Sequence, residues 1–160
     1  MLTKLKINNY ALIDSLEISF NKGMTSITGE TGAGKSIILG GLSMVLGSRV
    51  DNSKIINKEK KCFVEATFDL TDIYLKDYFR KNDLDYDEIT IIRREVNQNG
   101  KSRAFINDTP VKLDQLSGLT NRLIDVHSQF NNLSILDSNF IFLILDSLSK
   151  NHDIVKEYSS

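Results

Sequence analysis

Gly29-Glu30-Thr31-Gly32-Ala33-Gly34-Lys35-Ser36 fits the pattern G-x-x-x-x-G-K-[ST], and the run before it, Met24-Thr25-Ser26-Ile27-Thr28, reads as a strand. Strand, glycine loop and helix, in that order, wrap a chain around a triphosphate. With ordinary usage of Gly, Lys and Ser/Thr the octet would arise by accident in about one chain of this length in two hundred. Gly29, Gly32 and Gly34 let the backbone wind around phosphate oxygens with successive N–H groups pointing inward, and Glu30, Thr31 and Ala33 complete the loop. The helix expected from Lys35 adds the partial positive charge of its unpaired N-terminal N–H groups. Lys35 is placed to reach the β- and γ-phosphates of a nucleoside triphosphate, and Ser36 to ligate Mg²⁺.

The chain has 160 residues, 41% of them hydrophobic, enough for one domain with a core of its own. Twenty basic residues against twenty-one acidic ones leave a net charge of −1, so any contact with nucleic acid has to be local. The single Cys62 forms no internal disulfide, and the start Met1-Leu2-Thr3-Lys4 has no apolar leader, which points to the cell interior. The longest unbroken apolar stretch, Phe140 to Leu145, is far shorter than the ~20 residues of a membrane helix.

Period-two alternation over Leu2–Asn8 and Leu16–Phe20 predicts two strands before the glycine loop, an order that disfavours a simple nucleotide kinase. Ile38, Leu42 and Val45 recur at helical spacing, with Gly40-Gly41 as a site of close packing and Gly47 as the stop. Ser48–Lys61, opened by Arg49, is polar and basic and reads as a mobile surface loop. Strand over Phe63–Leu70, helix over Ile73–Asn82 and strand over Glu88–Val96 follow. Asn99-Gly100 predicts a type I′ hairpin turn joining Ile89–Val96 to Ser102–Ile106. Asn107-Asp108 is a second turn, Pro110 blocks continuation, Leu113–Leu119 reads as a short helix and Leu123–Val126 as a buried strand.

Lys101-Ser102-Arg103-Ala104-Phe105-Ile106-Asn107-Asp108-Thr109-Pro110-Val111 and Leu123-Ile124-Asp125-Val126-His127-Ser128-Gln129, taken with the glycine loop and Gly47-Ser48-Arg49, resemble the RecN family of bacterial DNA-repair ATPases, relatives of structural-maintenance-of-chromosomes (SMC) proteins. The resemblance covers most of the chain in the right order. It implies an α/β fold: the N-terminal lobe of an ABC-type P-loop ATPase head over residues 1–136, with antiparallel strands before and beside the P-loop core, then a helix over 137–160 entering a coiled coil. It also implies ATP and Mg²⁺ as cofactors, a C-terminal lobe of the same family protein as partner, an ATP-dependent head-to-head homodimer, DNA as a further partner, no membrane, and a cytoplasmic, nucleoid-associated location. Gln129 matches the Q-loop glutamine, whose amide oxygen suits a hard cation near the attacking water. Ser128 stands where the family usually has glycine, and Phe130-Asn131-Asn132 replaces a run generally rich in His and Glu. His127 reads as a structural hydrogen-bonder.

An ABC-type site also needs a metal-binding aspartate followed by glutamate, and an LSGG-like signature; the sequence offers neither. Phe142–Asp146 ends in Asp but continues with Ser147, and Asp125 runs straight into the Gln129 loop. Lys35 and Gln129 are therefore candidate catalytic groups of an incomplete site, one that binds ATP and hydrolyses it only with the other lobe. Arg94, Lys101 and Arg103, near one hairpin with Arg93, are candidate DNA contacts, although alternation puts Arg93 and Arg94 on opposite faces of their strand. Two other classes stay open: a self-contained small P-loop phosphotransferase using Asp146, and a non-catalytic DNA-binding module.

Overall fold

The structure, a computed structural model, describes residues 1–30 and 34–126. Six strands form one antiparallel sheet: β1 (Leu2–Tyr10), β2 (Ile13–Ser19), β3 (Cys62–Asp69), β4 (Ile89–Val96), β5 (Ser102–Ile106) and β6 (Thr109–Val111), in the spatial order β2-β1-β3-β4-β5-β6. Among the described residues three α-helices accompany it: α1 (Lys35–Val45), α2 (Lys76–Lys81) and α3 (Leu113–Thr120). Strict alternation sets the register, because a one-residue slip would turn each apolar row to the other face. Leu5 and Ile7 lie opposite Ala66 and Val64, and Ala66 lies opposite Ile92. These residues, with Phe68, Met44, Val45, Phe79, Leu116 and Leu119, form the buried core.

α1 crosses the inner face of the sheet at close range, and its glycines are the reason. A Cβ on Gly41 would meet Ile7 Cδ1 at 2.7 Å, and one on Gly40 would meet the Tyr10 hydroxyl at 3.2 Å. The cost of two helical glycines, about 1 kcal/mol each, is offset by this seating. α3 fastens the far end of α1, where Thr120 Oγ1 donates to the Leu46 carbonyl at 3.0 Å, and is itself tied to α2, where the Tyr78 hydroxyl donates to the Gln115 carbonyl at 2.7 Å.

Several expectations change here. Met24–Thr28 is not a strand: residues 21–30 are irregular and exposed, with Met24 97% accessible. A strand needs a ladder partner for its N–H and C=O groups, and the six strands present pair only with one another. Leu123–Val126 is irregular for the same reason. The helix expected over Ile73–Asn82 contracts to α2, with Ile73 in the preceding turn.

The β4–β5 connection, Asn97–Lys101, is closed by the Gly100 N–H donating to the Asn97 carbonyl at 2.9 Å, with Gly100 at φ 74° and Asn99 outside the left-handed region. The turn with two left-handed residues that type I′ requires is instead Asn107-Asp108, at φ 45° and 64°. Pro110 does not end the sheet. It sits in β6, an edge strand, where a missing N–H costs no ladder bond. The helix expected over 137–160 lies outside the described residues, as does the end of the lobe expected at 136.

Candidate nucleotide site

The glycine loop feeds directly into α1, the helix held by Ile7 and Tyr10. Gly34 caps it at φ 90°, ψ 0°, a left-handed conformation that a side chain at this position would strain. Its carbonyl accepts from the N–H of Ile37 at 2.9 Å and of Ile38 at 3.2 Å. The first turn of α1 carries no acidic residue and Gly34 supplies no side-chain cap, so nothing there competes with an anion for the helix terminus. The Lys35 ammonium folds back over the loop, donating to the Gly29 carbonyl and to the Glu30 carbonyl at 2.7 Å. A cation is thereby held above the start of the loop, where a polyphosphate would bring its oxygens. Ser36, exposed, occupies the second position of the helix beside it. Gly29, Glu30, Gly34, Lys35 and Ser36 thus come together; Thr31, Gly32, Ala33, His127, Gln129 and Asp146 lie outside the described residues.

Cys62 contributes no chemistry. It is fully buried, and burial pushes its thiol up to about 11, which leaves essentially no thiolate at neutral pH.

The hairpin cations separate. Lys101 and Arg103 are exposed, whereas Arg94 is 1% exposed and faces the core. Its Nε and Nη2 donate to Ser102 Oγ at 3.2 and 2.6 Å, and Nη1 has no partner among the described residues. Burial holds its pKa below the ordinary arginine value. Arg94 is therefore withdrawn as a DNA contact in this fold. Arg93, on the outer face, is taken up by Glu95 at 3.2 Å and by the Phe105 ring. That face is neutralised elsewhere too: Lys4 and Lys6 reach Glu17 at 2.9 and 3.3 Å and hold its carboxyl below the usual range.

The loop expected to be mobile is tied down, by a residue whose importance the sequence does not announce. Asn9, 1% exposed and left-handed at φ 54°, donates to the carbonyls of Asn57 (2.8 Å) and Lys60 (3.1 Å) and accepts from the Asn57 N–H (2.8 Å). The Ala11 N–H donates to the Lys54 carbonyl at 2.5 Å. Asparagine's tolerance of the left-handed region is the one local signal at position 9.

The profile of the AAA domain family matches residues 4–158. The chain belongs to that family. Among curated relatives of this AAA-domain chain, the DNA repair protein RecN of Vibrio cholerae is 40% identical over 157 residues, 98% of this chain and 28% of the relative. RecN of Rickettsia conorii is 35% identical over 159 residues, 99% of this chain and 29% of the relative. The chain therefore spans under a third of the length of these relatives. Among solved structures, an SMC ATPase studied for ATP-driven dimerization and DNA-stimulated activation superposes with a TM-score of 0.63 at 20% identity, covering 92% of this chain and 98% of that one. The SMC head domain of Thermotoga maritima gives 0.56 at 22% identity, covering 74% and 41%. The recombination mediator RecF with ATP gives 0.52 at 18% identity, covering 69% and 27%. The AAA-domain chain thus has the fold of an SMC-type ATPase head lobe and is RecN-like in sequence. Among the described residues no helix is long and apolar enough to cross a membrane.

Proposed function

We propose that this chain is the ATP-binding lobe of a RecN-type ATPase acting in DNA double-strand-break repair, and that head engagement driven by ATP brings DNA ends or duplexes together. The carrying observation is the α1 terminus, where left-handed Gly34, the Lys35 ammonium and Ser36 converge with no carboxylate in the first turn. These residues suit Mg²⁺-ATP: backbone N–H groups and Lys35 would hold the phosphates, and Ser36 would hold the metal. Bound magnesium would neutralise charge on the phosphates. Gln129 is assigned the water-side approach to the metal.

Completion from outside these residues is part of the proposal. Met24–Thr28 and Leu123–Val126 have strand-like sequences and no ladder among the described residues, as expected of strands that pair with a second lobe. The Walker-B carboxylates and the signature segment would come from that lobe and from an opposing head in an ATP-bound homodimer. The SMC structure described for ATP-driven dimerization supports this by likeness of fold. Asp146, the candidate metal ligand of a self-contained phosphotransferase, lies outside the described residues.

Mixing tests the proposal. Residues 1–160 alone should release phosphate from Mg²⁺-ATP at background rate, and adding the C-terminal lobe of a RecN relative should raise the rate with saturation. Brisk turnover by the chain alone, or γ-phosphate transfer to a small acceptor, would contradict it.

A further inference from the structure

The hairpin tip and the loop at Asn52–Lys61, more than thirty residues apart in sequence, are joined in space. Asn52, Ser53, Ile55 and Lys58 on one side and Asn97–Gly100 on the other line a cleft of about 310 Å³. Two bridges hold its walls together: Asn52 Nδ2 donates to the Gly100 carbonyl at 3.3 Å, and Gln98 Nε2 donates to the Glu59 carbonyl. Within the tip, Asn97 Oδ1 accepts from the N–H groups of Asn99 and Lys101 at 3.0 and 2.9 Å. The Asn9 clamp fixes the loop from beneath.

These bonds consume most of the amides, so the cleft is a braced scaffold. What it presents is charge. Lys58, Lys60 and Lys101 are exposed, and no carboxylate among the described residues forms an ion pair with them. The cations of the outer sheet face differ: Lys4, Lys6, Lys61 and Arg93 each have a glutamate partner. Three exposed lysines without an ion pair thus sit on one braced corner, beside the exposed Glu59, in a chain whose net charge is −1.

We infer that Lys58, Lys60 and Lys101, held by this bridged loop and hairpin, form a binding platform for the phosphate backbone of duplex DNA. Flexible lysines on a fixed backbone suit phosphates, which carry no sequence information, and such contacts position a duplex without reading bases. The braced backbone lowers the ordering entropy that a free loop would lose on binding. The inference rests on the DNA-repair reading for its choice of polyanion, and it moves the contact from the buried Arg94 to the loop.

The test is the salt dependence of binding of the 160-residue chain to a labelled 30-bp duplex. Each phosphate contact contributes roughly 0.9 to the slope of log K against log salt. Lys58→Gln and Lys101→Gln should each lower the slope by about 0.9, and the double variant by about 1.8. Lys81→Gln, an exposed lysine on α2, should leave it unchanged. An unchanged slope in the double variant overturns the inference. So does failure of the parent chain to bind duplex at low salt, or retention of heparin without duplex. Mg²⁺-ATP titration of the same samples reports separately on the nucleotide site, so either reading can fail alone.

Discussion

Lys35→Ala should weaken Mg²⁺-ATP binding about a hundredfold while leaving the melting temperature nearly unchanged. A unit charge pair at 4 Å in an effective dielectric of 20 is worth about 4 kcal/mol. Part of this is already spent in the unliganded protein, where the ammonium is solvated by the carbonyls of Gly29 and Glu30. A net loss near 2.7 kcal/mol, about two decades in affinity, remains. The fold should tolerate the change, because both carbonyl partners lie in the exposed segment before α1 and the helix is seated through Gly40 and Gly41. Titration calorimetry with a parallel thermal melt checks both halves. Unaltered affinity would remove Lys35 from the site.

Asn9→Ala should cost about 3 kcal/mol of stability and loosen the loop that carries Lys58 and Lys60. Three hydrogen bonds disappear at once, leaving half-buried backbone groups of Asn57 and Lys60 short of partners, worth roughly 1–3 kcal/mol. Alanine at the φ of 54° adopted by Asn9 adds roughly 1–2 kcal/mol of left-handed strain. At about 2–4 °C per kcal/mol for a protein of this size, the midpoint should fall by about 6–12 °C. Asn9→Gly separates the two terms: it removes the strain and keeps the hydrogen-bond loss, so it should recover about 1 kcal/mol of the deficit. Hydrogen exchange at Asn57 should accelerate in both variants. A midpoint shift under 2 °C in Asn9→Ala would mean that the clamp is not what holds the loop.

Much of this fold is legible because an antiparallel sheet with one buried face writes itself locally. Leu5 and Ile7, Val64 and Ala66, and the hairpin around Gly100 each declare their strand without knowledge of the partner. α1 is announced by Gly34 before it and Gly47 after it. Arg94 was hidden because Ile89 and Ile91 alternate with Thr90 and Ile92, so β4 is apolar on both faces and periodicity does not say which face is the core. Asn9 was hidden because its partners, Asn57 and Lys60, lie about fifty residues away in a loop without periodicity. Met24–Thr28 and Leu123–Val126 have the composition of strands. Strand propensity becomes structure only where a neighbour completes the ladder, and the described residues supply none.

Calorimetric titration of Mg²⁺-ATP into the folded 160-residue chain tests the nucleotide site most directly. The expected result is saturable, one-to-one, magnesium-dependent uptake that is lost in Lys35→Ala. Absence of uptake by protein whose melt is cooperative would contradict it.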